Sequence, residues 1–127
     1  MSSAEQATEG ANLYLRRWIT CFWAIHTLGA IAVAVNAWSP LEPLTHCLTN
    51  SGCKIAIVDD ERAKVLIPSL QEVKAAGCSA VFVARPTSLP AGFESLVEAL
   101  KGCEGRPLPQ VDISADVRPF LGYRSER

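Results

Sequence analysis

Residues 18 to 38 contain no Asp, Glu, Lys or Arg, and the apolar pattern changes period half way along that run. Before Gly29, the residues Leu15, Ile19, Phe22, Trp23 and His26 recur at spacings of three and four, which predicts a helix of about four turns with a broad apolar face. After it, Ile31, Val33 and Val35 alternate with alanines, which predicts a short strand with one face of large residues. Gly29 then reads as the helix stop and Asn36 to Pro40 as the exit turn.

The same alternation continues down the chain. Leu41, Leu44 and Leu48 predict a helix over Pro40 to Asn50, closed by Ser51-Gly52, and Lys54 to Val58 is a short apolar strand. Asp59 and Asp60 offer an N-cap to a helix over Glu61 to Leu70, with Ala63, Leu66, Ile67 and Leu70 on one side and a continuation past Pro68 through Val73 to Ala76. Ser79 to Ala84 is a third strand, with Val81 and Val83 facing one way and Phe82 the other. Arg85 to Gly92 is a loop, and Phe93 to Leu100 is an amphipathic helix with Glu94 and Glu98 one turn apart. Residues 1–12 are a polar tail expected to be disordered, 13–100 form the folded body, and 101–127 are an irregular linker and tail. The fold class is α/β, alternating helices and short strands that form part of a parallel sheet layer.

Composition narrows the function classes. The chain has 127 residues, 12 Lys plus Arg against 13 Asp plus Glu, and 49% hydrophobic residues. That balance argues against a basic nucleic-acid binder and against disorder, and the length is short for a catalytic unit. The uncharged run permits a membrane span flanked by Arg16 and Arg17, a secretory signal cleaved near Ala32-Val33-Ala34, or a soluble helix and buried strand. Thr20, His26, Thr27 and the break at Gly29 favour the soluble form, and a membrane-anchored protein using residues 18–38 is the alternative. The cysteines are Cys21, Cys47, Cys53, Cys78 and Cys103, with no C-x-x-C pair. His46, Cys47 and Cys53 do not match tetrahedral metal spacing, so the thiols are expected to fill the interior, with Cys103 exposed.

In this order the elements resemble the N-terminal subdomain of the adenylate-forming, AMP-binding acyl-CoA synthetases. The resemblance is carried by Trp18 to Ala24, by Leu28-Gly29-Ala30 leading to Val35-Asn36, and by Leu44. It continues through Ser51-Gly52-Cys53-Lys54 into Ile55 to Asp59, followed by Asp60-Glu61-Arg62. It covers about Arg17 to Leu70 clearly and extends loosely to Leu100, and relative to the family subdomain the sheet layer is incomplete. The resemblance implies a helix and strand buried in a soluble subdomain, so the membrane and signal readings recede. It makes Asn36 a structural turn residue, and it implies a cytoplasmic or peroxisomal location. His26, alone on an apolar helix face, is expected to be a satisfied core residue.

The family activates a carboxylate on ATP with Mg²⁺ and passes the acyl group to coenzyme A. That chemistry uses a Thr-Ser-Gly-Thr-Thr-Gly loop for phosphate, a lysine and a magnesium-placing carboxylate. No such loop occurs here, since Thr87-Ser88-Leu89-Pro90 lacks the glycines. Leu108 to Asp116 resembles the family's linker into the phosphate-loop strand, and from Val117 the pattern stops in an arginine-rich tail unlike a strand. The chain is therefore expected to be a truncated or alternative product of a synthetase gene, inactive alone, with no catalytic, cofactor-binding or metal residues and no cofactor bound. Asp59, Asp60 and Glu61 are an acidic cluster best explained by the helix N-terminus. Expected partners are a complete synthetase or a second copy, through exposed apolar surface, and neither nucleic acid nor a membrane.

Overall fold

The structure is a computed structural model that describes residues 16–115 and the backbone of 120–122; the expected tail 1–12, Leu15 and the rest of 116–127 lie outside the described residues. The chain divides into two compact units. Among the described residues, one comprises those up to Ala32 with those between Leu108 and Leu121, and the other is Val33–Pro107 with Gly122.

In the first unit, helix α1 covers residues 16–27 and ends where the sequence predicts. The Gly29 N–H donates to the His26 carbonyl at 2.9 Å and the Ala30 N–H to the Ile25 carbonyl at 3.1 Å, the paired bonds of a Schellman close. That close needs a left-handed residue, and Gly29 has φ +69. A Cβ at Gly29 would also lie 3.3 Å from Ile113 Cγ1 and 3.5 Å from Val111 Cγ1, so glycine admits the 108–115 stretch at close range.

Strand β1, Ala32–Ala34, departs from the expectation in two ways. It starts at Ala32, leaving Ile31 outside it, and the face of large residues is not the buried one: Ala32 is buried while Ile31 is 54% exposed. It also pairs with β5, Phe120–Gly122, in a two-stranded sheet, whereas the parallel sheet is formed by later strands. Phe120–Gly122 had been expected to be irregular.

The second unit is an α/β layer. It runs α2 (Leu41–Asn50), β2 (Ile55–Asp59), α3 (Asp60–Leu66), a 3₁₀ turn (Ile67–Ser69), α4 (Leu70–Ala75), β3 (Ala80–Ala84), β4 (Glu94–Ser95) and α5 (Leu96–Leu100). Strands β2, β3 and β4 pair in parallel in that order, with Ile55 opposite Ala80 and Phe82 opposite Glu94. The core joins Leu44 and Leu48 of α2 and Ala63, Leu66, Leu70 and Val73 of the α3–α4 segment to Ala56, Val81 and Val83 of the sheet. Thr45, buried among them, satisfies its hydroxyl on the Leu41 carbonyl at 2.7 Å.

Two expectations are corrected here. The helix expected over 61–70 breaks at Pro68, which has no N–H to continue it; the intervening 3₁₀ turn rotates the inner face onto Leu66, Leu70 and Val73 and leaves Ile67 50% exposed. The helix expected over 93–100 is shorter. Phe93 is buried in the core, Glu94–Ser95 add a strand, and the Ser95 hydroxyl caps α5 by accepting from the Glu98 N–H at 3.4 Å. Among the described residues no helix is long and apolar enough to cross a membrane.

Candidate functional site at the carboxyl ends of the parallel strands

In open α/β sheets ligands bind beyond the carboxyl ends of the strands, and β2 and β3 finish side by side at Asp59 and Ala84. Asp59 leaves β2 in an extended conformation and its carboxylate accepts from the Arg62 N–H at 2.6 Å, capping α3. Its other oxygen lies 3.8 Å from Arg62 Nη1. The same guanidinium reaches Glu61 Oε2 at 2.8 Å and lies over the Trp38 ring, 5.4 Å from its centroid.

Asp60 ties this turn to the loop after β3. Its Oδ2 accepts from Thr87 Oγ1 at 2.7 Å and from Lys64 Nζ at 2.9 Å, and its Oδ1 accepts from the Thr87 N–H at 3.1 Å. These donors favour the ionised form, Thr87 hydroxyl first and Lys64 next, and hold the carboxyl well below the usual range, at about 2. The loop is brought back to this point by Arg85, a non-glycine residue in the left-handed region at φ 53.

The arrangement fastens the loop after β3 to the first turn of α3. A magnesium ion needs hard oxygen donors with lone pairs to spare. Asp60 already accepts three bonds and Asp59 is engaged by Arg62, so this donor set does not fit a magnesium site. Among the described residues no three His, Cys, Asp or Glu side chains are grouped to hold a metal ion.

The other residues singled out from the sequence are dispersed. Asn36 Oδ1 accepts from the Trp38 N–H at 3.0 Å, and the Asn36 carbonyl accepts from the Ser39 N–H at 3.1 Å, so Asn36 builds the exit turn. His26 stands edge-on to Phe22, ring centroids 4.2 Å apart, but its buried Nδ1 finds no hydrogen-bond partner among the described residues. The expectation of a satisfied histidine is corrected: the ring packs edge-on against Phe22 and Trp23, and these contacts leave the buried nitrogen without a partner among the described residues.

His46 is exposed, Cys47 is half-buried, and Cys53 donates to the Leu48 carbonyl at 3.4 Å. Of the five thiols only Cys78 is fully buried, and Cys103 is exposed. Glu94 belongs to β4 and Glu98 to α5, where it pairs with Lys101 at 2.7 Å, so the two are not neighbours on one helix. Thr87 was the residue that sequence reasoning missed. It lies 27 positions from Asp60, and no local pattern links them.

No protein-family model, no curated protein and no solved structure matches the chain.

Proposed function

We propose that this chain is a non-catalytic α/β module related by descent to the N-terminal subdomain of the adenylate-forming acyl-CoA synthetases, acting through its uncovered surfaces and not through ATP chemistry. The observation that supports the descent is a set of element boundaries in one order. A helix closes on Leu28-Gly29-Ala30 before a short strand, a second helix closes on Ser51-Gly52, and a strand ends at Asp59 to cap the helix of Asp60-Glu61-Arg62.

ATP, Mg²⁺ and coenzyme A are the family's cofactors. The residues here that come nearest to their chemistry are engaged with one another. Thr87 gives both its hydroxyl and its N–H to Asp60, leaving no donor of that residue for phosphate. Carboxylate-dependent ATP–pyrophosphate exchange, measured with a panel of fatty and aromatic acids, should stay at the blank for the purified chain. Robust exchange would overturn the proposal.

The uncovered surface that supports a binding role is one face of the parallel sheet. Ile55 is 56% exposed and Ile57 40% exposed, on the face opposite Ala56, Val81 and Val83. Parallel strands are normally covered on both faces. A complete synthetase or a second copy of this chain is the proposed partner for that face.

A further inference from the structure

Successive parallel strands begin with the same dipeptide: Gly52-Cys53 precedes β2 and Gly77-Cys78 precedes β3. Both glycines are left-handed, at φ +64 and φ +110, and each turns the chain from the end of a helix toward its strand. The register sets Ile55 opposite Ala80, and Cys53 and Cys78 each lie two residues before that pair. The pairing persists beyond the regular strands. The Ser79 N–H and the Ser79 hydroxyl both donate to the Lys54 carbonyl at 2.8 Å.

Neighbouring strands are ~4.8 Å apart, inside the ~4.4–6.8 Å window of Cα separations that a disulfide spans. The side chains share one neighbourhood as well: Cys78 is part of the buried core and Cys53 packs against that core.

We propose that Cys53 and Cys78 are a redox pair whose disulfide staples the starts of β2 and β3 with little backbone movement. The oxidant is a small-molecule disulfide. Half-buried Cys53 is reached first: its thiolate attacks one sulfur of the oxidant, forms a mixed disulfide and releases one small thiol. Cys78, 3% exposed and closed to solvent, then attacks the Cys53 sulfur and displaces the second small thiol. Two protein thiols become one disulfide, two electrons pass to the oxidant, and the two thiol protons leave with the released thiols. Burial, reinforced by Cys78, pushes the Cys53 thiol up from its ordinary value, so the first step accelerates as pH rises. The bond closes the segment from Cys53 to Cys78, which contains β2 and the α3–α4 crossover, into a covalent loop.

The test uses the full chain carrying Cys21→Ser, Cys47→Ser and Cys103→Ser, incubated with oxidised glutathione at pH 8. The expected result is loss of both remaining free thiols in a product that stays a single chain on a non-reducing gel. Its unfolding temperature should exceed that of the same protein kept in dithiothreitol. In the wild-type chain, mass spectrometry should find position 53 joined to position 78, and Cys53→Ser should abolish that product. A stable glutathione adduct on Cys53 with Cys78 still free, covalent dimers as the main product, or wild-type links from 53 or 78 to the other cysteines would each overturn the proposal. The wild-type mapping decides the matter if the triple variant does not fold.

Discussion

A carboxylate that accepts two hydrogen bonds from Thr87 and an ion pair from Lys64 ionises more readily in the folded chain than in the unfolded one. For Asp60 the folded value is about 2, against roughly 3.9 for an unperturbed aspartate. A depressed folded value stabilises above the unfolded one and is lost as pH falls through the folded one. The contribution is therefore complete above about pH 4 and disappears between roughly pH 4 and pH 2. Thr87→Val, which removes the largest cause, should lower the melting temperature at pH 6. The gap to wild type should close as pH falls through that window, in thermal melts followed by circular dichroism; a gap independent of pH would show that the pair is not its source. The acidic residue was visible in the sequence as a helix-start carboxylate. Its partner was not, because a contact over 27 positions is set by where the β3 loop returns.

Among the elements, the α3–α4 segment shows how far periodicity reaches. The spacing of Ala63, Leu66 and Leu70 gave the inner face correctly, and Leu66 is 1% exposed. Ile67 satisfied the same spacing and yet faces water, because the turn around Pro68 changes the rotation per residue just there. Leu66→Ala should cost about 2–5 kcal/mol in urea unfolding, through lost burial and the cavity it leaves. Ile67→Ala should stay within roughly 0.5 kcal/mol of wild type, as exposed substitutions do. Equal effects at the two positions would contradict this packing. The C-terminal helix carries a similar lesson: Phe93, Leu96 and Leu100 look helical in spacing, but Glu94–Ser95 join the sheet edge beside β3, and that pairing exists only once β3 is in place.

At the level of the molecule, the parallel sheet carries apolar side chains on a face that stays open to solvent. Ile57 lies near the middle of β2 on that face. If the face binds another copy, the wild-type chain should show a mass above that of the monomer at high micromolar concentration in light scattering, and Ile57→Lys should return it to monomer with its circular dichroism unchanged. Association that persists in Ile57→Lys would place the contact elsewhere.

Periodicity, glycines and caps are local, and they sufficed for the α/β alternation, the stop at Gly29, the α2 face and the shared face of Val81 and Val83. Each of these depends on residues within a turn or a strand of one another. Tertiary structure alone decided that Ala32–Ala34 pairs with Phe120–Gly122 and not with the parallel sheet, that Asp60 is held by Thr87, and that Cys53 packs against the core containing Cys78. Those outcomes depend on register between segments distant in the chain. Register is chosen by the packing of the whole layer, and a single segment carries no record of it.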